Sequence, residues 1–123
     1  MRYIFDSSFL LSLHLLEDVN HEKAVEIFAS LPEDAVFYMN ELTYVELLTV
    51  MTYKKWFKFV RNMRDFISDS NTFFVNSGNF EYIRYFEALS KKISVVDVSI
   101  LYDALKYDCE ILSFDKEILR LGK

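Results

Sequence analysis

The chain alternates short, unbroken apolar runs with longer stretches whose apolar residues recur every three or four positions. RYIF (2–5), AVFYM (35–39), TFFV (72–75) and EILSF (110–114) are the unbroken runs, and they read as strands buried on both faces. Residues 8–16 have helical spacing, and so does HEKAVEIFASL (21–31), where Asn20 is the cap and Ala24, Ile27, Phe28 and Leu31 share one side. Pro32-Glu33-Asp34 forms the turn into the second strand. ELTYVELLTVMTY (41–53) has almost no polar face, which predicts a helix lying in the core, and KKWFKFVRNMRDFISDS (54–70) continues it as a basic amphipathic helix. A helix over FEYIRYFEALSKK (80–92) starts from an Asn79 cap, another runs from Ser94 through Tyr107, and KEILRL (116–121) adds a closing turn. Strands alternating with helices in this way predict an α/β fold with three layers, α/β/α, around a short central parallel sheet. No internal repeat or linker divides the chain, so residues 1–123 are expected to form one domain.

Composition narrows what such a fold can do. Nineteen acids against fourteen bases give a net charge of −5, so nucleic acid would have to be held by local cations or bridging metal rather than by global charge. Two glycines in the whole chain leave no glycine-rich phosphate cradle. The single Cys109 excludes an internal disulfide framework. FLLSLHLL resembles a short signal core, but Asp6 precedes it and Glu17 and Asp18 follow it, so it reads as the first helix. No stretch is long and apolar enough to span a membrane, and a cytoplasmic location is expected.

The chemistry-bearing pattern is a set of carboxylates at element boundaries. Asp6 and Asp115 each end an apolar strand, YIFD and LSFD, where parallel sheets bind ligands beyond their carboxyl edge. If the first and last strands lie side by side, these two acids share a cleft. Each is equally readable as a helix N-cap. Glu46 lies on the side of its helix that carries Leu42 and Val50, a carboxylate set into an apolar stripe, unless Thr43-x-x-Glu46 is a capping box. Asp97 begins a helix and also fits a capping box, Ser94-x-x-Asp97. Asp103 points about 120° away from Asp97 and is expected to face solvent, while Asp108 lies about 16 Å further along the axis. Several carboxylates in one pocket need compensation, and hard divalent cations with oxygen ligands supply it.

In order, Asp6 after a first strand, Thr43-x-x-Glu46 in a core helix, Asp97 with Ala104 seven residues on, and Ser113-x-Asp115 resemble the PIN domain, especially its small VapC-like toxins. The resemblance spans nearly the whole chain. It implies a metal-dependent endoribonuclease, often the toxin of a toxin-antitoxin pair with a cognate antitoxin protein, and usually a homodimer. Carried over, Asp6, Glu46, Asp97 and Asp115 are the acidic quartet around one or two Mg or Mn ions, with Ser8 and Ser113 as hydroxyls near the site. A PIN-like module that binds RNA or protein without cutting is the alternative. Lys54, Lys58, Arg61 and Arg64, with Trp56 and Phe57 among them, form a stripe suited to guiding RNA phosphates, and read equally well as a solvated helix face over core aromatics. His14 and His21 lack metal-ligand spacing, and Phe66, Phe73 and Phe74 are candidates for a dimer or partner surface.

Overall fold

The computed structural model describes residues 1–75, 81–89 and 93–122. The proposed Asn79 cap lies outside the described residues. Four strands form, at Arg2–Phe5 (β1), Val36–Asn40 (β2), Thr72–Val75 (β3) and Glu110–Leu112 (β4). All pairings are parallel and the spatial order is β3-β2-β1-β4. Successive side chains alternate between the two faces of a strand. Accordingly Tyr3, Phe5, Phe37 and Met39 enter one core cluster, while Ile4 enters the other with Ile100 and Ala104.

The larger cluster is covered by helices α1 (Ser7–His14), α2 (His21–Ser30), α3 (Glu41–Tyr53) and α4 (Phe57–Asp69), which contribute Phe9, Ala24, Leu47, Met51, Met63 and Ile67. Phe5 sits in its middle and stacks on Phe37 with ring centroids 5.0 Å apart. The opposite face is covered by α6 (Val95–Tyr107), on which α5 (Glu81–Leu89) and α7 (Lys116–Leu121) pack. This is the three-layer parallel architecture that the apolar runs predict.

Three expectations are corrected. The helix predicted over 54–70 does not continue from α3. Lys55 adopts φ 60°, Lys55 N–H donates to Thr52 O and Trp56 N–H to Met51 O, which is the paired closure of a Schellman turn. After the turn Trp56 packs on the core and α4 starts at Phe57. Second, α3 is not sunk in the core on all sides: Thr43, Leu47 and Met51 are buried, whereas Val45 and Tyr53 are exposed. Third, Phe66 is no surface residue but packs on Phe5, Phe28 and His14, leaving Phe73 and Phe74 exposed on β3. Among the described residues no helix is long and apolar enough to cross a membrane.

Candidate metal-binding carboxylate site

Strand order decides the site. The chain runs from β1 outward through β2 to β3, then returns to place β4 on the other side of β1, so the order reverses between β1 and β4. Such a reversal is where parallel sheets bind ligands, beyond the carboxyl ends of the strands. Phe5 pairs with Leu112, and Asp6 N–H donates to Leu112 O at 3.0 Å, so the adjacent Asp6 and Ser113 meet there.

Asp6 is buried, although its side chain makes no capping bond to α1. Its Oδ2 instead accepts from Ser8 Oγ and from Ser113 Oγ, each at 2.6 Å. Each hydroxyl has one proton to give. Ser8 Oγ in turn accepts from Phe114 N–H at 3.0 Å, and Ser113 Oγ from Asp115 N–H at 2.9 Å. The two hydroxyls therefore bridge the carboxylate to two consecutive backbone N–H groups of the β4–α7 turn. Asp115 does cap α7: its Oδ1 accepts from Glu117 N–H and Ile118 N–H.

Glu46 is not part of a capping box, because α3 begins earlier, with Asn40 as its cap accepting from Thr43 N–H at 2.7 Å. One turn further on, Glu46 Oε1 accepts from Ser7 Oγ at 2.8 Å across the α1–α3 gap. Asp97 lies in the first turn of α6, where its N–H donates to Ser94 Oγ, so the predicted Ser94 cap is present. The Asp97 carboxyl is pushed up to about 6 from an ordinary 3.8, first by burial and then by the negative charges of Asp6, Asp115 and Glu46, against an opposing bond with Ser94. Like charges raise one another's proton affinity only at short range. Asp97 is thus within electrostatic reach of the other three acids, which come from the β1–α1 junction, the body of α3 and the β4–α7 junction. Among the described residues, no three acidic, histidine or cysteine side chains yet close to the spacing that holds an ion. Oxygens of Asp6, Glu46 and Asp115 are instead engaged by serine hydroxyls and helix N–H groups. An all-oxygen set of this charge suits Mg or Mn and no softer metal.

The other predicted residues lie elsewhere. Lys54, Lys58, Arg61 and Arg64 are all exposed, but the turn at Lys55 separates Lys54 from the remaining three, which lie along α4. Arg64 pairs loosely with Asp65 at 3.7 Å. Lys58 also lines a cleft of about 840 Å³ with His14, Trp56 and Asn62, and none of the four acids reaches it. His14 and His21 bond through Nδ1 to the backbone oxygens of Leu10 and Ser12, in keeping with structural roles.

Two features escaped the sequence. Ser7 contacts Glu46, signalled only by the doubled serine after Asp6. Asp103, expected in solvent, is buried: Asn40 Nδ2 donates to its Oδ2 at 3.1 Å and to Ser99 Oγ at 2.9 Å. Its azimuth is indeed turned from Asp97, but α3 packs on that side of α6.

Comparison with known proteins agrees with this architecture. Mycobacterium tuberculosis VapC20, described as a sarcin-ricin loop cleaving toxin, superposes with a TM-score of 0.82 at 18% identity, over 98% of this chain and 95% of that one. VapBC-1 from nontypeable Haemophilus influenzae gives 0.71 at 17% identity, over 98% and 92%. VapBC2 from Rickettsia felis, bound to a DNA fragment from its promoter, gives 0.69 at 12% identity, over 98% and 93%. A search of curated protein sequences finds no match. The PIN domain model matches residues 3–123, and with nearly the whole chain covered, the protein belongs to the PIN domain family.

Proposed function

We propose that the protein is a divalent-metal-dependent endoribonuclease, the toxin of a toxin-antitoxin pair, with Asp6, Glu46, Asp97 and Asp115 as its metal-holding and catalytic acids. The observation that carries this reading is the raised proton affinity of Asp97, caused first by burial and then by the negative charges of Asp6, Asp115 and Glu46. Acids brought this close repel one another, a cost that Mg or Mn, as one or two ions, would relieve. A divalent ion bound there supplies a water of lowered pKa and neutralises charge on a phosphodiester.

The chain's own residues set up that chemistry. Ser8 and Ser113 hold Asp6 by one oxygen, and Ser7 holds Glu46 by one oxygen. Asp115 is fixed by its helix cap. Asp97, whose proton affinity is raised by burial and by the neighbouring acids, is the group suited to take a proton from an attacking water. Lys58, Arg61 and Arg64 on α4, with Lys54 across the turn, offer the local positive surface that an RNA strand needs against a net charge of −5. A cognate antitoxin as partner is supported by neighbours described as VapBC assemblies, and a homodimer by the exposed Phe73, Phe74, Val45 and Tyr53.

The test is cleavage of a mixed RNA pool by purified protein with Mg or Mn, beside Asp6→Asn and Asp97→Asn. Cleavage that needs the ion and is lost in both variants supports the enzyme. RNA binding without cutting above the variants, across metals and substrates, would instead make the protein a silent binding module.

A further inference from the structure

Glu46 and Asp97 come to the site from different helices, so something must set α3 and α6 against each other. Residues that bind an ion have to be held to within about 0.5 Å, by neighbours that are themselves locked. Asn40 occupies the junction. It ends β2 at the carboxyl edge of the sheet and is fully buried, as are Thr43 and Ser99 beside it. Its Oδ1 accepts from Thr43 N–H, which anchors the start of α3, and its two Nδ2 protons go to Ser99 and Asp103 on α6. Ser99 and Asp103 are four residues apart and share one face of that helix. Glu46 lies six residues, about 9 Å, along α3 from Asn40, and Asp97 lies two residues before Ser99.

We propose that Asn40 is a positioning residue of the carboxylate site, tying the helix that carries Glu46 to the helix that carries Asp97 through Ser99 and Asp103. The proposal rests on the ribonuclease reading above. Cohesion alone would not call for such a link, since an apolar pair of similar volume in place of a buried polar one is commonly as stable or more so. A planar amide with three directed bonds does what an apolar contact cannot: it fixes the register of one helix on the other.

The experiment exchanges the polarity of the link. Asn40→Asp keeps a good N-cap for α3 but loses both amide protons and sets a second carboxylate against Asp103. Asp103→Asn keeps an acceptor for Asn40. The double variant restores one donor and one acceptor in reversed order. Mn2+ affinity is measured by calorimetry, cleavage of the RNA pool as kcat and KM, and folding by urea titration. Asn40→Asp is expected to weaken Mn2+ binding by about 10-fold to 100-fold and to lower kcat with little change in KM for RNA, as loss of an outer contact does at metal sites. Asp103→Asn is expected to stay close to wild type, and the double variant to recover most of the Mn2+ affinity. Should Asn40→Asp not fold, Asn40→Ser, which caps α3 but cannot span to α6, is expected to show the same loss. Wild-type Mn2+ affinity in a folded Asn40→Asp or Asn40→Ser, or a double variant that regains stability without Mn2+ affinity, overturns the positioning role and leaves the ribonuclease reading intact. A wild-type protein that neither binds Mn2+ nor cuts RNA overturns that reading, and the positioning role with it.

Discussion

Replacing Asp97 with Asn should stabilise the metal-free protein while removing its activity. Asp97 is raised from 3.8 to about 6 by burial and by Asp6, Asp115 and Glu46. At 1.36 kcal/mol for each pKa unit, the ionised form costs the native state about 3 kcal/mol at most, and solvent screening of a half-buried carboxylate brings this to about 1 kcal/mol. The sign follows from proton linkage. Because the folded-state value lies above the unfolded one, the native protein holds the extra proton. This contribution to stability is complete below 3.8, declines as pH rises from there to about 6, and is lost above it. An amide at 97 carries no charge and escapes the decline. Urea titrations in EDTA, from about pH 4 to about pH 8, should therefore show Asp97→Asn gaining about 1 kcal/mol over wild type at the upper end and nothing at the lower. Salt should narrow the gap, because the repulsive part is screened while the burial part is not. With Mn2+ present the order should invert, since only the wild type gains fully from binding. A variant less stable than wild type in EDTA near neutrality, or a gap that does not change with pH, would show that burial and the neighbouring acids do not raise Asp97, and the electrostatic argument for the cation site would go with it.

Three further outcomes are expected. Mg2+ or Mn2+ at about a hundred times its dissociation constant should raise wild-type stability by about 2.7 kcal/mol, reversibly on chelation, as read by the urea midpoint. Lys55→Gly should stabilise the fold by about 1 kcal/mol, because Lys55 occupies the left-handed region at φ 60° in the turn between α3 and α4, and the same titration reports it. Charge reversal of Lys58 and Arg61 together should weaken RNA cleavage at low salt and flatten its dependence on salt by about one to two counterions, measured as the slope of log kcat/KM against log salt concentration.

Much of the fold could be read from local pattern. A run such as YIF or VFYM is too short and too apolar for a surface helix, and four of them between helical spacings leave a covered parallel sheet as the natural arrangement. The acids were legible for the same reason: a carboxylate that ends a buried strand or interrupts an apolar stripe stands out against its surroundings. Local pattern failed where the outcome depended on what packs nearby. Asp103 has the azimuth of a solvent-facing residue on α6, yet α3 and its Asn40 cover it. The apolar face of α3 promised burial on all sides, but one sheet face can cover only one stripe, and Val45 and Tyr53 remain outside. The basic run from Lys54 to Arg64 has unbroken helical spacing, and nothing in it announces the left-handed Lys55, because the gain from closing that turn comes from seating Trp56 on the core.

The sequence by itself therefore determined the element types and the parallel α/β class, and marked out Asp6, Glu46, Asp97 and Asp115 as candidates, since burial and solvent exposure imprint periods of about 2 and 3.6 residues on any chain. Only the tertiary structure decided which of those positions are neighbours. Ser113 meets Asp6 across 107 residues, Ser7 meets Glu46 across 39, and Asn40 meets Asp103 across 63. Those meetings depend on β4 returning to lie beside β1 and on α6 crossing to α3, and strand order is settled by the packing of the whole chain rather than by any window along it.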